Sequence, residues 1–228
     1  MTIRHHPSDE TLLRYAAGRL APAPGRVVAT HLHGCPACRE RVRVFEAVGG
    51  AVLDGMSPVP VVPHALARAL AAIDAGPAGR ATSLEGSSTP AHGAARTAPP
   101  LLPDGIVLPA PLRDCAMGPW RWAGFGVRAS ALTLPEDPKA SLLLLRVAPG
   151  RRLPEHGHSG LEFTQILSGS FSDAFGRYQP GDLTEMGAEV EHQPVVDPDG
   201  PCICLTALEG GVLFTGSIGR LIQPFLRL

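Results

Sequence analysis

The sequence predicts an α+β chain in two domains, a small N-terminal helical bundle followed by a C-terminal antiparallel β-barrel. Three features carry that expectation. Capped helical patterns fill residues 1–75, a Gly/Ala/Pro-rich stretch covers residues 76–103, and residues 104–228 hold short β-type runs punctuated by Gly and Pro. A length of 228 residues is long for one compact domain and comfortable for two.

Ser8 reads as the N-cap of a first helix, with Asp9 and Glu10 placed to complement the helix dipole. Leu12, Leu13, Ala16 and Ala17 give that helix an apolar face, and Gly18 ends it. A second helix is expected from about Ala23 to Leu32, stopping at Gly34. A third starts at Pro36, where a missing N–H costs nothing, and runs to about Leu53. A fourth, short helix is expected near His64–Ile73, and little core is visible between the four. Residues 76–103 read as a linker by composition. Strands are then expected at Trp120–Val127, Ser141–Val147, Phe163–Leu167, Ser170–Phe175, Ile203–Leu208 and Val212–Phe214.

Composition narrows the function. The net charge is -1, which gives no whole-chain attraction to nucleic acid or membrane. The N-terminal part is mildly basic and the C-terminal part mildly acidic, an asymmetry that suits an acidic protein partner for the helices. Arg39, Arg41 and Arg43 alternate along the third helix and form no recognition stripe, so a DNA-binding role finds no support. No apolar run reaches membrane-spanning length, and the N-terminus carries no signal-peptide pattern. Five cysteines, two of them at metal-ligand spacing, suit a reducing, cytoplasmic setting better than a disulfide framework.

The first candidate site is His31-x3-Cys35-x2-Cys38. Two thiols in the first turn of a helix point the same way, and the helix N-terminus favours their thiolate forms. His31 closes in from the end of the preceding helix. A closed zinc site takes four ligands, and His5, His6 and His33 are the remaining candidates. His33 points away from His31; His6 lies just before the first helix cap, with His5 its competitor. The run from His6 to Gly18, followed by this motif, resembles the zinc-binding anti-sigma domain, the helical module that sequesters bacterial alternative sigma factors. The resemblance covers residues 1–75 and implies zinc on His6, His31, Cys35 and Cys38.

The second candidate site is Gly150-x5-His156-x-His158-x3-Glu162-x6-Gly169. His156 and His158 share one face of a strand, and Glu162 returns to them across a turn at Gly160. His192, in Gly181-x5-Gly187-x-Glu189-x2-His192, is the expected fourth ligand. Three imidazoles and a carboxylate suit Zn, Mn, Fe or Ni. These spacings resemble the two cupin motifs, which imply a jelly-roll barrel. The second motif departs from the pattern at Gly187, Glu189 and Val196, where a Pro, a Gly and an Asn are usual. Cys202-x-Cys204 reads as small apolar filler in preference to a redox pair, and Cys115 carries no functional expectation.

Together the two motif sets resemble the ChrR family of anti-sigma factors. That resemblance implies 1:1 sequestration of an extracytoplasmic-function sigma factor by the N-terminal domain. It also implies release when the cupin-like domain responds to singlet oxygen or organic hydroperoxide. The competing expectation is a metal-dependent cupin enzyme, a dioxygenase or isomerase, with a zinc-binding N-terminal extension.

Overall fold

The computed structural model describes residues 2–75 and 101–214. The expected linker therefore lies outside the described residues except for 101–103, as do residues 215–228 of the expected barrel domain. Residues 2–50 and 101–214 form one unit, and residues 51–75 belong to a second.

Four helices open the chain: α1 (Asp9–Ala16), α2 (Pro22–Gly34), α3 (Pro36–Asp54) and α4 (Ala65–Asp74). Ser8 caps α1 as expected, its hydroxyl accepting from the Thr11 N–H. α2 starts on a proline, which lacks only an N–H that would have no helical partner. No helix among the described residues is long and apolar enough to cross a membrane.

The strands are β1 (Ala116–Met117), β2 (Arg121–Gly124), β3 (Val127–Thr133), β4 (Leu142–Val147), β5 (His156–His158), β6 (Glu162–Ser168), β7 (Phe171–Asp173), β8 (Gly176–Tyr178), β9 (Leu183–Met186), β10 (Val195–Val196), β11 (Cys202–Leu208) and β12 (Val212–Phe214). The main sheet runs β1-β3-β4-β11-β6-β9, with β2 also paired to β3. Two smaller sheets, β10-β7-β8 and β12-β5, complete the barrel. Its pairings are antiparallel, which sets Thr206 of β11 opposite Thr164 of β6, and Met186 of β9 opposite Glu162.

The expected single strand Trp120–Val127 is a hairpin. Gly124, Phe125 and Gly126 all take positive φ (91°, 50° and 79°) and reverse the chain there. An aromatic residue between two glycines reads as strand by propensity, yet the tight reversal needs the left-handed region.

Strands β4 and β11 are apolar on both faces. Leu143, Leu145, Val147, Cys202 and Cys204 turn into the barrel, where they line a cavity of about 150 Å³. Leu142, Leu144, Ile203 and Leu205 turn outward and are fully buried in a core shared with the helices, where α2 packs on β11 and β6. The expectation of helices with little core is corrected on this point. Val27 and Val28 of α2 have no exposed surface and share one continuous core with Phe163 of β6 and Leu183 of β9. Each such side chain stabilises the unit by roughly 1.5–3 kcal/mol.

Polar contacts fix the same face. Arg26 of α2 makes a bidentate pair with Glu136 (2.8 and 2.8 Å), a second with Asp114 (3.0 and 2.9 Å), and donates to the Pro111 carbonyl (2.8 Å). Arg26→Ala is expected to destabilise the protein by about 1–3 kcal/mol, since a half-screened double fork loses both pairing and the packed side-chain stem. The Arg26 guanidinium holds Glu136 below its ordinary pKa of 4.5. The pair therefore contributes above that pH and fades as pH falls through the lowered value. Urea titrations of both proteins at pH 7 and pH 3.5 check this: the difference in stability shrinks at the lower pH.

At the other end, Asp182 anchors the N-terminal segment. Its carboxylate has no exposed side-chain surface and accepts from the backbone N–H of Arg4 (2.7 Å), His5 (3.1 Å) and Gln179 (3.0 Å). Burial pushes its pKa up, and these donors more than reverse that, leaving it below the ordinary carboxylate value. Glu185 takes both the N–H and hydroxyl of Ser8 and the Thr11 hydroxyl.

Candidate metal centres

The helical cluster is built from three segments. Cys35 is the residue at the C-cap of α2, Cys38 sits in the first turn of α3, and His31 is the last buried imidazole of α2. His6 enters from the extended segment before α1. His6 Nδ1 lies 3.5 Å from Cys35 Sγ and 3.3 Å from Cys38 Sγ, while His31 Nε2 lies 3.3 Å from Cys38 Sγ. Ligands 2.0–2.3 Å from a tetrahedral zinc stand about 3.6 Å apart for a nitrogen and a sulfur, so the donor spacing fits that ion. His31 Nδ1 faces the Gly181 carbonyl at 3.0 Å, leaving Nε2 as the donor toward the cluster.

The two open candidates separate cleanly. His5 turns from the thiols onto Asp182 (3.2 Å) and the Tyr178 ring, whereas His6 joins them. Burial and the neighbouring Cys35 push the Cys38 thiol up to about 12, a preference that a coordinated cation inverts. His31 is pushed down by burial and by His6, keeping the imidazole neutral as a ligand must be.

In the barrel, β5 places His156 and His158 on one face, β6 begins with Glu162, and His192 bridges to His156 through paired backbone hydrogen bonds (3.1 and 2.9 Å). The turn between β5 and β6 requires glycine at position 160, where a Cβ would stand 1.6 Å from the Glu209 carbonyl oxygen. The departures at Gly187 and Glu189 do not lose the second motif's turn, because Val190 N–H still donates to the Gly187 carbonyl (3.1 Å) and His192 still arrives.

The four donor atoms lie within 4.8 Å of one another. His156 Nδ1 is 2.9 Å from the Pro154 carbonyl and His192 Nδ1 is 3.1 Å from Asp173, so both Nε2 atoms turn inward and face each other at 3.2 Å. The hydroxyls of Thr164 and Thr206 hold Glu162 Oε1 (2.8 and 3.2 Å), which aims Oε2 at His158 Nε2. Yet His158 Nδ1 and Nε2 and Glu162 Oε2 are buried without a well-formed hydrogen bond. Facing lone pairs and buried polar atoms lacking partners are what a cation would satisfy. Burial pushes Glu162 up, but the imidazoles, His158 first, hold it down to about 2.

Sequence reasoning missed Asp173, Asp182, Gln165 and the two threonines. Asp173 and His192 are brought together by pairing of β7 with β10 and β8, which no local motif encodes. Cys202 and Cys204 are buried free thiols on the cavity side of β11, and Cys115 lies near the Arg26 clasp.

A helical His2Cys2 cluster packed on a barrel with an internal His3Glu cluster defines a two-centre, cupin-like protein. Residues 112–210 match the family model of the ChrR cupin-like domain. The chain is 39% identical to the anti-sigma-E factor ChrR of Cereibacter sphaeroides, over 100% of both chains. It is also similar to a chain in the crystal structure of Rhodobacter sphaeroides SigE in complex with the anti-sigma ChrR. That match has a TM-score of 0.66 and 33% identity, and covers 91% of this chain and 100% of that one. The chain belongs to the ChrR family of anti-sigma factors. That relative is an anti-sigma factor, a regulatory protein.

Proposed function

We propose that this protein is a cytoplasmic anti-sigma factor that binds one extracytoplasmic-function sigma factor through residues 1–75. The barrel, residues 104–228 beyond the linker 76–103, controls release under singlet oxygen or organic hydroperoxide. In this reading His6, His31, Cys35 and Cys38 hold a structural Zn2+, and His156, His158, Glu162 and His192 hold a second Zn2+ or another divalent ion. Bound there, the first ion would cross-link three chain segments, and the second would supply Lewis acidity beside an apolar cavity. The chain's own residues do the rest. Asp173 and the Pro154 carbonyl orient two imidazoles, and the apolar lining excludes water from them.

The observation that carries sigma binding is the full-length similarity to ChrR together with the SigE–ChrR complex. An uncovered apolar stripe supports it. On α4, Leu66, Leu70 and Ile73 recur at helical spacing and are 72%, 53% and 72% exposed. On α3, Val44, Val48 and Val52 do the same at 46%, 56% and 63%. A helix face of this kind, kept in water, marks a groove-docking surface. Leu66→Glu and Leu70→Glu together are expected to weaken sigma binding by about 100-fold or more, from two desolvated anchors lost. Co-purification with the sigma factor and titration calorimetry read this; unchanged affinity for the double variant overturns the assignment of α4 to the interface.

A further inference from the structure

Nothing in the segment before α1 holds His6 in place by itself. It is extended, it precedes the Ser8 cap, and its tethers come from the barrel. Asp182 Oδ1 accepts the N–H of Arg4 and His5, Oδ2 lies 3.2 Å from His5 Nδ1, and the His5 carbonyl accepts the Leu183 N–H at 3.1 Å. The residue next in sequence supplies Nδ1 to the thiols. One position earlier in the same turn, the Gly181 carbonyl meets His31 Nδ1. Gln165 of β6 is buried beside the same imidazole. Two imidazoles of the helical cluster are thus aligned by groups that belong to the barrel.

We infer that Asp182, together with the Gly181 carbonyl, is a positioning residue for the His6–His31–Cys35–Cys38 site, so that this helical centre closes fully only while the turn before β9 is seated against it. The inference rests on the reading of that cluster as a metal site. The same strands carry the other centre: β9 turns Thr184 into the cavity, and β6 carries Glu162 and Thr164 there. A shift of β6 or β9 around the barrel ion therefore moves the acceptors that align His6 and His31. The two candidate centres thus share strands β6 and β9.

The test uses the full-length chain loaded with Co2+, whose thiolate absorption reports the helical centre alone. Asp182→Asn keeps the shape but turns an NH2 toward donors, and is expected to speed Co2+ loss from the thiolates to a chelator by about tenfold while the barrel ion stays bound. His5→Ala, a milder change outside the buried core, is expected to give a smaller acceleration and a lower-intensity thiolate band. Arg26→Ala loosens the same interface away from the ligands and is expected to match the parent. Parent-like release from Asp182→Asn overturns the inference, as does equal acceleration by Arg26→Ala, which would reduce the contact to general docking. If Asp182→Asn loses both ions by unfolding, His5→Ala decides, and a parent-like rate there overturns the inference. Absence of any cobalt–thiolate band in the parent chain would instead reject the metal reading itself.

Discussion

Cys38→Ser is expected to lower the metal content of the purified chain from two ions to one and to weaken sigma-factor binding by at least about 100-fold. Cys38 is buried at the point where α2, α3 and the N-terminal segment meet, with both imidazoles 3.3 Å from its sulfur. A serine hydroxyl is a poor ligand at neutral pH, so the closed shell is left one donor short. Structural zinc contributes about 10–16 kcal/mol of apparent binding energy in small domains, much of it folding energy. Here the loss is local, because α2 keeps its packing on the barrel through Val27 and Val28. Far-ultraviolet circular dichroism is expected to fall by a fraction of the helical signal only. A Cys38→Ser chain that still carries two ions and still binds the sigma factor would sink the structural role given to this centre.

The barrel variants are expected to behave in the opposite way. His158→Ala and Glu162→Gln should each leave one ion in the chain, retain sigma binding within about threefold, and blunt the response of a sigma-dependent reporter to singlet oxygen. Glu162 lines the cavity and the buried His158 meets its carboxylate, and neither contributes to the exposed stripes of α3 and α4. Glu162 stays ionised to about pH 2 while surrounded by imidazoles, so Gln replaces a charge as well as a ligand. Elemental analysis gives the ion count and a reporter strain gives the response. Constitutive reporter activity in both variants would show that the barrel centre is required for inhibition itself, contrary to the proposed division of labour.

Much of this was legible in the residues. The Ser8 cap, the Pro36 start of α3 and the spacing of both motifs fix where the candidate ligands sit along the chain, since capping and strand alternation are local rules. The choice between His5 and His6 was not legible. The two are neighbours in an extended segment, and what separates them is Asp182, distant in sequence. β3 was overlooked because alternating Ala and Ser at 129–131 give little apolar signal, although Ser130 is buried and donates to the Gly118 carbonyl. The shared core has a sign in the sequence. The run Leu142–Leu145 and the segment Cys202–Leu208 are apolar on both faces, and a barrel strand with water outside would alternate. Strands apolar on both faces call for an outer cover, and the short helices were available to provide it.

The outward face of β4, β6 and β11 has a consequence for anyone wishing to re-wire this protein. A foreign barrel cannot be attached by cutting within residues 76–103, because α2 would lose the apolar residues it lies on and the N-terminal segment its anchor at Asp182. A working chimaera has to carry Leu144, Phe163, Leu183, Ile203 and Leu205 across with the helices, and any redesign of the cavity side has to leave β6 and β9 in place. Recombination in nature faces the same restriction: the point of exchange lies between the two faces of a strand, a boundary that no crossover in the gene can follow.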